Sequence, residues 1–212
     1  GIGPVSAAKG KCGPTPPASI PVPLFAMALL YGGMTCIAGV LGSKQIALGP
    51  LAVEAGILPF LLLVAISSAV TRIYGRQAGN RLVRFGFIPL ATAIGLTWLV
   101  INLPTDAGMY EPAKEAFPIV LGQSARLMVA GIIAYGVSMT LNVVLFARLA
   151  ASSGRLGLVA GAVAAMISQV VDTLIFITVA FYGVRPIGAL IAGQALAKVV
   201  LSVALVPLLI AL

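Results

Sequence analysis

The sequence predicts an all-α membrane protein with six transmembrane helices packed in one bundle. Two observations carry this prediction. Of the 212 residues, 60% are hydrophobic and only 8% are charged, a composition that excludes an ordinary soluble domain. The chain also divides into six apolar stretches of about 20 residues or more, the length at which a helix crosses a bilayer. Nearly the whole chain is then embedded in lipid, which leaves no room for a soluble catalytic domain.

The domain organisation follows from where these stretches lie. Residues 1–19 are rich in Gly, Pro and Ala without apolar periodicity and predict a flexible N-terminal tail, whereas residues 20–212 predict the six-helix transmembrane domain. The predicted spans are residues 23–42, 51–71, 85–103, 118–149, 155–181 and 187–212. Pro59 interrupts the second span. The fourth is longer than a bilayer requires, so part of it should tilt or protrude.

Basic residues at the span ends predict the orientation, because cytoplasmic loops are enriched in Lys and Arg. With the N-terminus inside, eight of them are cytoplasmic: Lys9, Lys11, Arg72, Arg76, Arg81, Arg84, Arg148 and Arg155. Three are then outside: Lys44, Lys114 and Arg185. Both termini are therefore predicted to be cytoplasmic, with a basic inner loop between spans two and three. The net charge of +8 reflects this topology, and no nucleic-acid partner is expected.

One acidic residue lies deep inside a predicted span. Asp172 is in the middle of span five, whereas Glu54 is at the outer end of span two and the other acidic residues fall in loops. A charged group at the centre of a membrane helix costs about 2.5 to 3.5 kcal/mol on an insertion scale, so Asp172 should face a partner, a water-filled cavity or a ligand. Ser168 and Phe176 share its helix face, and Gln169 lies one step around the axis. The alternative is a purely structural polar clasp between helices.

A depth argument pairs Asp172 with Lys198. Both lie thirteen residues from Arg185 in the turn between the last two spans, or about 20 Å of helix. We therefore expect them to face one another, directly or across a ligand. The alternative is that Lys198 lines a cavity alone while Asp172 binds a substrate amine or a proton. The same count sets Gln194 opposite Phe176.

Further polar and aromatic candidates lie at the predicted outer ends of neighbouring spans. Trp98 alone would be an interfacial anchor, because Trp is enriched at that depth. Together the candidates describe an outward-facing pocket for a small-molecule substrate. The predicted substrate-binding residues are Asp172, Gln169, Phe176, Lys198, Gln194, Arg126, Trp98, Tyr135, Asn102 and Gln45.

Catalysis is disfavoured by what the sequence lacks. It has no histidine, no carboxylate pair inside the membrane and no metal-ligand cluster, so no enzyme, metal or cofactor is predicted. Cys12 lies in the tail and Cys36 in the first span, which gives no disulfide or metal framework. No G-x-x-x-x-G-K-[ST] motif is present, so the chain cannot hydrolyse ATP itself.

Two segments resemble the queuosine-precursor transporter family, also described as vitamin-uptake membrane proteins. They are SQVVDTLIF, residues 168–176, and RIYGRQAGNRLVRFGF, residues 72–87. Weaker similarity is found at Gly122, Arg126, Ala134 and Lys198. The resemblance implies a six-span bundle similar to the substrate-binding subunits of vitamin importers. By this likeness Gln169 and Asp172 belong to the family's Gln-x-x-Asp element.

The resemblance also implies a function: uptake of 7-deazaguanine bases, such as the cyano or aminomethyl precursor of queuosine, across a bacterial inner membrane. Besides substrate and lipid, a separate ATPase module docked around Arg72–Arg84 and a homo-oligomer are the partners considered. The chain departs from the family at two places. It has Ser68 and Arg72 where the family shows an acidic pair, and Met139 and Asn142 where a second Gln-x-x-Asp is common. A related vitamin-like heterocycle is one alternative, and a structural or assembly protein is another.

Overall fold

The fold is a helical bundle with one small hairpin. The computed structural model describes residues 19–48, 51–122, 125–149, 155–183 and 187–211. In these ranges the elements are α1 (Val22–Gly42), β1 (Gln45–Leu48), β2 (Leu51–Glu54), α2 (Ile57–Tyr74), α3 (Arg76–Ile101), α4 (Glu111–Leu121), α5 (Ala125–Leu149), α6 (Arg155–Phe181) and α7 (Ile187–Ala211). Six of these helices, all except α4, are long and apolar enough to cross a membrane. The predicted fold class is confirmed. Most of the predicted tail, residues 1–18, lies outside the described residues.

The second span begins later than predicted. Residues 51–54 form β2, which pairs antiparallel with β1, and α2 begins only at Ile57. Pro59 therefore lies in the first turn of α2. Backbone N–H groups in the first turn have no intrahelical acceptor, so a proline there costs no helix hydrogen bond and does not interrupt the span. The prediction was wrong here because a short apolar run is compatible with a strand as well as a helix.

The predicted fourth span is divided between two helices. α4 ends at Leu121 and α5 begins at Ala125, so only α5 has the length and apolar composition of a span. At the end of α4 the Gly122 N–H donates to the carbonyl oxygen of Pro118 at 2.7 Å. A Cβ on Gly122 would collide with that oxygen, which requires glycine at this position. The excess length of the predicted span is therefore a separate short helix.

The predicted basic loop is largely helical. α2 continues to Tyr74 and α3 begins at Arg76, so Gly75 alone makes the turn. Its φ of +88° lies in the region that favours glycine. The four arginines of this segment are on the last turn of α2 and the first turns of α3, and all are exposed: Arg72, Arg76, Arg81 and Arg84.

Helix α2 is at the centre of the bundle. Of the 18 residues of α2, 61% are buried, against 6% in the most apolar 18-residue stretch of α3. It packs against α1, α3, α5, α6 and α7. The chain's last three helices pack in succession, and α6 buries the small side chains of Ala160, Ala164 and Ala165. Small residues let helix backbones approach closely where lipid provides no hydrophobic drive for association.

A buried tyrosine pair ties α1, α3 and α5 together. The hydroxyl of Tyr135 is hydrogen-bonded to the hydroxyl of Tyr31 at 2.9 Å and to the carbonyl oxygen of Val83 at 3.1 Å. Phe87 packs edge-on against the Tyr135 ring, with 4.9 Å between the ring centroids. Gly86 leaves the space that the two tyrosines occupy, since a Cβ there would overlap the hydroxyl oxygen of Tyr135 and the ring edge of Tyr31.

We expect Gly86→Ala to destabilise the protein. The added methyl group would displace Tyr135 and break its hydrogen bonds, and overpacking of this kind costs about 1–3 kcal/mol. The measurement is the midpoint of thermal unfolding in detergent. Gly95→Ala on the same helix is the matched control, because a Cβ there meets no atom within 4 Å. Equal midpoints for the two variants would contradict the close packing at Gly86.

Candidate functional site

A cavity of about 430 Å³ is lined by residues of all seven helices, α1 to α7. It lies in the half of the bundle that contains the β1–β2 hairpin and α4, which is the predicted outer half. Its size is within the range of small-molecule sites, which are about 300–1,000 Å³. The wall is mostly aliphatic and aromatic, with Thr35, Cys36, Ser43 and Thr97 among its polar members.

An ion pair forms part of the cavity wall. Lys198 Nζ on α7 lies 3.6 Å from Asp172 Oδ2 on α6, as the hairpin count predicts. Both side chains retain some exposure, 10% for Lys198 and 13% for Asp172. The hydroxyl of Ser138 on α5 donates to the other carboxylate oxygen, Oδ1, at 3.2 Å. Three helices thus converge on one carboxylate.

The geometry of the pair leaves bonding capacity for a ligand. At 3.6 Å the two charged atoms attract one another but are farther apart than in a good hydrogen bond. Asp172 Oδ2 can accept a further hydrogen bond and Lys198 Nζ can donate further ones. A ligand edge with a donor beside an acceptor would therefore match both partners at once.

Aromatic side chains surround this polar point. Tyr135, Phe176, Phe181 and Phe60 line the cavity. The rings of Phe176 and Phe181 are in edge-to-face contact, with centroids 6.5 Å apart. Aromatic faces and edges offer favourable contacts to a planar ring. The site combines one donor–acceptor pair with a largely apolar, aromatic enclosure.

A comparison with known protein families shows which family the chain belongs to. Residues 54–212 match the model of a family described as "Putative vitamin uptake transporter". The chain belongs to this vitamin uptake transporter family. It is therefore a multi-pass membrane protein of a transporter family, and the predicted family resemblance is confirmed. No curated protein and no solved structure matches the chain.

The transporter's cavity brings together four of the ten residues predicted to bind substrate: Asp172, Phe176, Lys198 and Tyr135. Their role in binding stays a prediction. Gln169 is fully buried one turn before Asp172 and does not line the cavity. Both atoms of its amide group lack a hydrogen-bond partner among the described residues.

The other five predicted residues lie elsewhere in the transporter. Trp98 is 62% exposed on α3, and the Asn102 amide donates to the Trp98 carbonyl at 2.7 Å. Gln194 is half-buried on α7 outside the cavity wall. Gln45 is in β1, and its side chain lies outside the described residues.

Arg126 holds the end of α6. Its Nε donates to the carbonyl oxygen of Val179 and its Nη2 to that of Tyr182, both at 2.7 Å. The last carbonyls of a helix lack intrahelical partners and carry the negative end of the helix dipole, so a guanidinium group suits this position. The side chain does not line the cavity.

Several cavity residues were not selected from the sequence. Phe60 and Phe181 resemble any other apolar residue of a span, so the sequence carries no signal for them. Ser138 does not line the cavity but contacts Asp172. The sequence marks it only by a repeated spacing, since Ser138 and Asn142 are separated like Ser168 and Asp172.

We expect Arg126→Ala to lower the unfolding temperature of the transporter by loosening the end of α6. The loss of a charged group from a helix C-terminus costs about 1 kcal/mol, and up to about 2. Asn102→Ala is the control, since that amide bonds only within its own helix turn among the contacts described. Unchanged unfolding combined with lost ligand binding would instead make Arg126 a ligand residue.

Proposed function

We propose that the transporter takes up a small heterocyclic nutrient from outside the cell across the bacterial inner membrane. The solute most consistent with the site is a 7-deazaguanine precursor of queuosine. The observation that supports this proposal is the Asp172–Lys198 pair in the wall of an apolar, aromatic cavity. Membership of a vitamin uptake family supports the uptake direction and the nutrient class.

The charges of the site favour a neutral solute. Among the described residues, Asp172 and Lys198 are the charged side chains that line the cavity, and their charges cancel. A solute with a net charge would enter an apolar cavity without an opposite charge to compensate its desolvation. A neutral solute with both kinds of hydrogen-bonding group keeps the pair balanced.

The edge of a deazaguanine ring has the required pattern. A ring N–H lies next to a carbonyl group, so the N–H can donate to Asp172 Oδ2 while the carbonyl accepts from Lys198 Nζ. The flat bicycle suits the aromatic enclosure of Phe176 and Tyr135. An analogue that lacks either group would leave one buried partner unsatisfied, which gives strong discrimination.

A second candidate function is that of a substrate-binding subunit, in which a separate ATPase module supplies the energy for uptake. The observation in its favour is the group of exposed arginines on α2 and α3 at the end opposite to the cavity. In the proposed orientation these residues face the cytoplasm, where such a module would dock. Uptake by cells that express this chain alone, without any ATPase partner, would reject that arrangement.

Thermal stabilisation of the purified transporter tests the substrate. The panel should contain the cyano and aminomethyl deazaguanines, guanine, adenine and common vitamins. A ligand that binds only the folded state stabilises it by about 2.7 kcal/mol at a hundred times its Kd. We expect the neutral cyano compound to stabilise more than the cationic aminomethyl compound. Stabilisation by a vitamin and by no deazaguanine would replace the proposed substrate.

Cys36 localises the ligand in the same experiment. It lines the cavity, so a bound ligand should slow its reaction with a thiol reagent. Cys12→Ala removes the thiol of the predicted tail and leaves Cys36 as the reporter. Stabilisation without any protection of Cys36 would show that the ligand binds outside this cavity.

A double substitution separates a binding role of the ion pair from a clasp. Asp172→Asn alone leaves Lys198 uncompensated, and we expect a loss of about 1–3 kcal/mol, less than for a fully sealed pair because the cavity admits water. Asp172→Asn combined with Lys198→Met should recover most of the stability without recovering ligand binding. Thermal unfolding and ligand binding are measured on the same samples. Normal binding by the double variant would show that the pair is only structural.

A further inference from the structure

A second polar layer lies one helical turn below the ion pair. Asn142 on α5 donates through Nδ2 to the hydroxyls of Ser67 and Ser68 on α2, at 2.9 and 3.2 Å. Ser168 on α6 and Ser202 on α7 are also fully buried. We call these five residues the lower tier.

Helix register stacks the lower tier beneath the cavity. Asn142, Ser168 and Ser202 are each four residues from a member of the group Ser138, Asp172 and Lys198, always on the side away from the cavity mouth. Four residues of helix rise by about 6 Å and return to nearly the same face. The three helices that meet at Asp172 therefore meet again at the lower tier, with α2 completing it.

The lower tier has unused hydrogen-bonding capacity. Asn142 Oδ1, Ser168 Oγ and Ser202 Oγ are buried without a partner among the described residues. So are Thr173 Oγ1 and both amide atoms of Gln169 on the adjoining face of α6. Native structures leave few buried polar groups unsatisfied, and each such group calls for a physical reason. Three of these atoms belong to the lower tier itself, on three different helices, and call for such a reason.

We propose that the lower tier is the closed inner part of the solute path. This assignment rests on the proposed uptake function. When the bundle opens on the side away from the cavity mouth, these residues hydrate the polar edge of the solute and let it pass. Hydroxyl and amide groups both donate and accept, so they can exchange hydrogen bonds with a neutral polar solute without holding it by charge. Passage needs sites that are weak enough to be left.

Phe146 closes the path below the lower tier. It is the next residue on the stripe of Ser138 and Asn142, and it is 1% exposed. By the same count it is level with Ala164 on α6, which is also buried. In this proposal the large ring of Phe146 blocks the path at the level of the small Ala164, and movement of α5 against α6 opens it.

Cysteine accessibility tests the lower tier without reference to a substrate. Ser168→Cys and Ser202→Cys are introduced one at a time into a Cys12→Ala, Cys36→Ala background. Val143→Cys is the matched control, since Val143 follows Asn142 directly and is equally buried, but in the apolar core. Thr97→Cys on the cavity wall and Arg84→Cys at the opposite end report the sidedness of the vesicles.

A charged, membrane-impermeant methanethiosulfonate reagent is applied separately to each face of the membrane. We expect Ser168→Cys and Ser202→Cys to react several-fold faster than Val143→Cys from the face opposite to the cavity mouth. Phe146→Ala should increase that rate further. Reaction no faster than Val143→Cys would overturn the proposal and leave a sealed structural layer. Reaction confined to the cavity face would make the lower tier the floor of the cavity. Absence of deazaguanine binding would overturn the substrate assignment alone, because labelling requires no substrate.

Discussion

The arrangement of the bundle depends on keeping two charged groups together at membrane depth. An unpaired carboxylate or ammonium group in this environment carries a large desolvation cost, and the Asp172–Lys198 contact reduces it by joining α6 and α7 at one level. Ser138 brings α5 to the same carboxylate. The cavity wall is built around that meeting point, so the feature that stabilises the three helices also supplies the polar groups of the candidate site.

The pair is compatible with both folding and recognition because it is incompletely satisfied. A tighter contact would leave little free energy for a ligand to gain, whereas a wider one would leave two uncompensated charges in the apo protein. At 3.6 Å, with slight exposure of both side chains, the pair remains able to form new hydrogen bonds. The rest of the wall is apolar and aromatic, so the proposed solute is oriented by its edge and enclosed by its faces.

The sequence predicted the spans and the depth of the ion pair because both follow from counting along helices. It did not predict the β1–β2 hairpin or the break at Gly122, because apolar residues near a span are compatible with several backbone conformations. Arg126 illustrates a different limit. Its depth was compatible with a pocket, but a long side chain can reach several partners. The sequence does not show that Arg126 instead binds the carbonyl oxygens at the end of α6.

Trp98 and Asn102 share the predicted depth of the pocket but lie outside its wall, since depth alone does not fix the direction of a side chain.

The single-residue connection at Gly75 limits how the bundle can change shape. Because one residue joins α2 and α3, the two helices cannot slide along their axes. Gly79 also packs closely against Thr71, which opposes separation of the helices. These two helices therefore behave as one stiff unit. Relative motion is left to α5, α6 and α7, since α6 buries small side chains against its neighbours. A displacement of these helices past one another and against the unit of α2 and α3 would exchange which membrane face the central polar groups meet.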